Sequence, residues 1–137
     1  MALHPRVLSE LLDAEVEQAR AALGARAGDL RHEDGVILMT LTRPDGSWNL
    51  RLDARDFDAE PYDLTVVDTA GQTLPLEAWP PGLAHSVHPV LGTAWACISG
   101  TRAYYSYPGH HADRWDTGRY SLRADTLLGH VLQKVGL

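Results

Sequence analysis

The apolar residues of this chain change period along its length, and that change limits its fold more than any other feature. From Arg6 to about Gly24 they fall at Leu8, Leu11, Leu12, Val16, Ala19 and Leu23. A three-to-four spacing puts them on one face of a helix, with Glu10, Asp13, Glu17 and Arg20 opposite. Gly24 and Gly28 supply stop signals. From residue 36 the pattern becomes strand-like. Val36-Ile37-Leu38-Met39-Thr40-Leu41 reads as a buried strand, and Trp48-Asn49-Leu50-Arg51-Leu52 alternates as a half-exposed one. Asp63-Leu64-Thr65-Val66-Val67 gives a third strand. Residues 73–76 give a short fourth, closed by Pro75 and Trp79-Pro80-Pro81-Gly82. In the turn Arg43-Pro44-Asp45-Gly46-Ser47 proline presets the first dihedral and glycine accepts a positive one. Asp68-Thr69-Ala70-Gly71-Gln72 makes another turn. The helical period returns at about Ala124, with Leu127, Leu128, Val131, Leu132 and Val135 on one face and Ser121 or Asp125 to cap it. Between these parts, residues 85–108 show little regularity. Trp95-Ala96-Cys97-Ile98 reads as buried, Tyr104-Tyr105-Ser106-Tyr107 as a strand, and residues 108–113 as a loop. The expectation is an α+β fold: N-terminal helix, antiparallel four-stranded meander, irregular segment, C-terminal helix.

The 137 residues suit one domain over positions 1–137. A net charge of -6 and an isoelectric point near 5.5 disfavour a phosphate backbone as partner. No apolar run reaches the roughly 20 residues that span a bilayer. The opening residues Met1 to Arg6 lack the layout of a secretory signal, and one cysteine makes no internal disulfide. These readings predict a cytoplasmic protein without nucleic-acid or membrane partners.

The stretch from Trp79 to Leu132 carries the motifs. Pro80-Pro81 follows the meander, then come His88-Pro89, Cys97, Trp115 and the helix containing Leu127 and Leu132. Cys97 lies nine positions after His88. In this order and spacing the chain resembles an E2 ubiquitin-conjugating (UBC-like) domain of compact, prokaryotic type, over nearly its whole length. The resemblance implies that Cys97 accepts a ubiquitin-like protein as a thioester from an E1-like activating enzyme and passes it to an amine of a protein substrate. It implies no cofactor, since the activator consumes the ATP. The chain departs from the family in three ways. Val90 replaces the asparagine that helps stabilise the oxyanion, the segment from Cys97 to Trp115 is longer, and there is one C-terminal helix where larger members have three. Asn49, in the meander, is the sole asparagine.

The chemistry of Cys97 has its own rationale. A thiolate is nucleophilic and leaves readily, so a thiol suits acyl transfer; free cysteine also often merely packs. With the asparagine absent, the oxyanion donor would come from a backbone N–H, His88, His110 or His111. Asp113 and Asp116 are candidates to orient the incoming amine or take its proton. The histidines of the longer loop also read as solvated residues. Two further readings stay open: an inactive UBC-like scaffold that binds partners, and a metal site using His85, His88, Cys97, His110 and His111.

Overall fold

The computed structural model describes residues 3–137. Helix α1 (Pro5–Leu23) starts with His4, whose Nδ1 accepts the Arg6 N–H at 3.2 Å, followed by proline in the first turn. It ends at Gly24, where φ is 60°. Its buried face is the predicted one, with an addition: Glu15 sits among Leu8, Leu12, Val16, Ala19 and Leu23.

Four antiparallel strands follow in sheet order β1 (Gly28–Glu33), β2 (Val36–Arg43), β3 (Gly46–Asp53) and β4 (Asp63–Val67). The registers Ile37↔Leu52↔Leu64 and Met39↔Leu50↔Val66 line up one buried face. This face forms the core with α1 and with α4 (Ala124–Lys134). The predicted meander is displaced by one strand. Residues 73–76 make no strand: Thr73 only bridges to Val67, and Leu74 N–H donates to Val66 C=O at 2.8 Å. The fourth partner is instead β1, entered through a bulge between Gly28 and Arg31. Gly46 also lacks the positive φ expected of it. The reason for glycine there is contact, since a Cβ would meet the Trp48 ring at 3.0 Å.

Beyond the sheet, Pro80 C=O accepts the Leu83 N–H at 3.1 Å, turning the chain under the end of α4. Gly82 is required in that turn, with φ 94° and a Cβ that would lie 2.6 Å from the Lys134 carbonyl oxygen. A short hairpin, β5 (Ser86–Val87) and β6 (Ala94–Trp95), leads into the irregular segment. Tyr104 to Tyr107, expected as a strand, instead belong mostly to helix α2 (Arg102–Ser106), which Thr101 caps with its Oγ1 on the Tyr104 N–H. A single helical turn, α3 (Trp115–Gly118), precedes α4. Neither Ser121 nor Asp125 caps α4. Arg123 holds the cap position, and Glu15 Oε1 accepts the Ala124 N–H at 3.1 Å from across the core.

Glu15 ties the molecule together. Its carboxylate also accepts Tyr62 Oη–H at 2.8 Å and Arg123 Nε–H at 3.2 Å, while Arg123 reaches Asp58 at 3.3 Å and lies over the Phe57 ring. Burial, then the charge of Glu15, holds the Tyr62 phenol far above its usual range. Among the described residues no helix is long and apolar enough to cross a membrane.

Candidate active site

Cys97 follows β6 as the middle residue of a three-residue turn closed by Ile98 N–H on Ala96 C=O at 3.0 Å. Ala96 and Ile98 are 3% and 2% exposed, whereas Cys97 is exposed. A turn of this size reverses the chain at one residue, so two apolar neighbours anchor inward and the thiol faces solvent. The predicted burial therefore holds for Trp95, Ala96 and Ile98 and fails for Cys97.

His88, upstream, is 1% exposed. Its Nδ1 accepts both the Val90 and Leu91 N–H groups at 3.0 Å, so the proton sits on Nε2, which donates to Ala103 C=O at 2.8 Å. With His88 N–H on Thr93 C=O at 2.8 Å, the ring folds residues 88–93 into a closed loop and ties it to α2. Both ring nitrogens are engaged, so His88 holds the loop and has no N–H free for an oxyanion. Val90 is exposed, and its N–H and that of Leu91 point to the same ring. Asn49 pairs with Thr40 on the outer face of the sheet, opposite Ile37, Met39 and their partners.

The other candidates lie beyond α2. Tyr104 Oη–H donates to Asp113 Oδ2 at 2.6 Å. The His110 ring stacks on Tyr104 at 4.0 Å, and its Nδ1 donates to Tyr104 C=O at 2.9 Å. A carbonyl can only accept, so the His110 lone pair is on Nε2. Asp113 N–H in turn donates to His110 C=O at 2.9 Å. The Tyr104 phenol is held above its ordinary value of 10, first by the bond to Asp113 and then by desolvation; the field of Cys97 reaches it as a smaller contribution. Ser99, Tyr104, Asp113, Arg114 and Leu122 line a groove of about 340 Å³ on this side of the molecule. His111 is exposed with Nδ1 on Pro108 C=O at 3.2 Å, and Asp116 is exposed beside Arg114 at 3.6 Å. Both stand outside the Tyr104 cluster.

The structure thus joins His110 and Asp113, and it adds Tyr104, Ser99 and Thr101, which the sequence reading passed over. The only signal for them was Thr101, a capping residue three positions before Tyr104. Among the described residues, no group of three or more His, Cys, Asp or Glu side chains is arranged to hold a metal, so the five residues of the metal reading do not converge. The chain matches no protein-family model and no curated protein.

Proposed function

We propose that this chain is an E2-like carrier with a UBC-like fold, accepting a ubiquitin-like protein as a thioester on Cys97. The single observation that carries the reading is the exposed thiol at the tip of a turn whose two neighbours are buried. Such a sulfur is held rigidly and can be reached by another protein's C-terminus. In the first step the Cys97 thiolate attacks the acyl carbon of an E1-like enzyme's thioester; the new C–S bond forms, the old one breaks, and the activator's thiolate leaves. In the second, an amine of a protein substrate attacks the Cys97 thioester, a C–N bond forms, and Cys97 leaves as thiolate. The amine's surplus proton passes to His110 Nε2, the lone-pair nitrogen of the cluster.

Composition supports the carrier role in a further way. The chain has a single lysine, Lys134, in the last turn of α4, and its other cationic side chains are arginines. Guanidinium groups stay protonated and do not attack thioesters, so few internal amines compete for the acyl group. The acidic outer face of α1, with Glu10, Asp13 and Glu17 exposed, suits a basic surface on the activator.

One observation favours a second reading, an inactive scaffold of the same fold: the family asparagine is Val90, and the two adjacent backbone N–H groups are spent on His88. The two readings part on Cys97→Ala expressed in the source cells. A carrier gives a high-mass adduct that thiol reductant removes and that the variant lacks. Conjugation at the wild-type rate in the variant rules the carrier out.

A further inference from the structure

With valine in the family asparagine's place, an acyl group on Cys97 needs another hydrogen-bond donor for its oxygen, and most groups around the thiol are already engaged. His88 uses both ring nitrogens and takes the Val90 and Leu91 N–H groups. The Ile98 N–H closes the turn on Ala96 C=O, and the buried Thr101 hydroxyl donates to Ile98 C=O at 2.8 Å. Ser99 carries the one hydroxyl within two residues of Cys97. Burial alternates along this segment: Ala96 and Ile98 are inside, Cys97 is exposed and Ser99 half-buried, so the thiol and the hydroxyl both leave the chain on its outward side. Two peptide units hold their Cα atoms no more than about 7 Å apart, a span that Sγ, an acyl carbonyl and Oγ together bridge. On its other flank Ser99 shares a groove wall with Tyr104. The bond to Asp113 raises the Tyr104 phenol most, desolvation next, and a hydrogen bond from the Ser99 hydroxyl pulls it back. Tyr104 gives its own proton to Asp113 Oδ2 at 2.6 Å, so its oxygen offers Ser99 a lone pair.

Resting on the carrier reading, we infer that Ser99 is the oxyanion donor of this chain, a hydroxyl two residues after the nucleophile in place of the E2 family's asparagine. In the resting site its proton lies on Tyr104 Oη. A serine hydroxyl turns about Cβ–Oγ to suit its acceptor, so it swings to the acyl oxygen as charge develops there. Amine attack forms the C–N bond and moves the carbonyl electron pair onto oxygen, and Ser99 Oγ–H donates to that oxyanion. Collapse restores the C=O bond as the C–Sγ bond breaks and Cys97 leaves as thiolate. Ser99 keeps its proton throughout. The charge it meets exists only in passing, so the donor lowers the barrier without tightening amine binding.

The test loads Cys97 with a small surrogate, a diglycyl peptide thioester of 2-mercaptoethanesulfonate, and follows discharge to L-lysine by intact mass. Ser99→Ala is expected to slow discharge at saturating lysine about a hundredfold, with the KM for lysine unchanged. Ser99→Thr, which keeps a hydroxyl on the same carbon, recovers most of the rate. Alkylation of Cys97 by iodoacetamide passes through no oxyanion, so Ser99→Ala alkylates as wild type does; this separates a donor from a residue that only shapes the turn. Ser99→Ala discharge at the wild-type rate, with thermal unfolding preserved, overturns the inference while leaving the carrier reading intact. So does a loss of discharge matched by an equal loss of alkylation. If Ser99→Ala folds poorly, Ser99→Thr and Ser99→Val, alike in shape, carry the comparison, and equal discharge rates in the two overturn the inference as well. Failure of wild-type Cys97 to load at all overturns the carrier reading, and the inference with it.

Discussion

At the scale of single residues, the site is a contrast between a thiol that is free and a histidine that is not. His88 satisfies three backbone groups from a fully buried position. His88→Ala removes the acceptor of two N–H groups, orphans the Ala103 carbonyl and leaves a void, so a loss of about 2–4 kcal/mol in urea unfolding is expected. The same variant speeds Cys97 alkylation by iodoacetamide, because the loop packed beneath Trp95 loosens. The His-Pro and Cys97 positions were legible as motifs, but the role of His88 was not. A ring that serves as an internal turn partner and one that serves as an oxyanion donor are spelled identically. Asp63 offers a pH test. Burial, opposed by Arg102, raises its carboxyl above the ordinary 3.8. A raised carboxyl disfavours the folded state once ionised. Its stabilising contribution is therefore complete below 3.8 and is lost as pH rises through the raised folded value. Asp63→Asn is expected to be more stable than wild type at neutral pH, with the difference vanishing toward the unfolded value. Urea midpoints across that window check the sign.

At the scale of elements, the end helices were plain from periodicity, and the strands 36–41, 48–52 and 63–67 fall inside β2, β3 and β4. The missed β1 shows what hid it. It is an edge strand with one buried residue, Leu30, among polar ones, and Asp29 at φ 50° makes a bulge that looks like a loop. The hairpin signal was nevertheless present in Asp34-Gly35, whose φ values of 47° and 78° suit a tight two-residue turn. Helix α2 was read as a strand because three tyrosines in four positions carry strand propensity. Its Thr101 cap and the following Pro108 decided otherwise. Two glycines separate conformation from contact. Gly71 has φ 82° and open space around its Cβ position, whereas Gly82 has φ 94° and a backbone oxygen at 2.6 Å. Alanine is expected to cost about 1 kcal/mol at Gly71 and at least twice that at Gly82, where the end of α4 has to move. Thermal unfolding of the two variants measures the difference.

At the scale of the whole molecule, Glu15 joins α1, the start of β4 and the N-terminus of α4 through bonds to Tyr62, Ala124 and Arg123. No periodicity argument finds such a residue, because a charge in an apolar stripe is defined by partners distant in sequence. Glu15→Ala leaves a buried phenol, a helix-start N–H and the Nε–H of Arg123 without their acceptor, and about 3–5 kcal/mol of stability is expected to go with it. Ala96 and Ile98, on either side of Cys97, belong to the same core cluster as Trp115 and the buried residues of α4, so the proposed chemistry depends on this network indirectly. The central claim is that Cys97 accepts an acyl group, and the most direct measurement is the intact mass of the folded protein after exposure to the diglycyl peptide thioester. The account predicts one acyl mass gained on Cys97, removed by dithiothreitol and absent from Cys97→Ala. A wild-type thiol that reacts fully with a disulfide reagent under native conditions yet gains no acyl mass would contradict it.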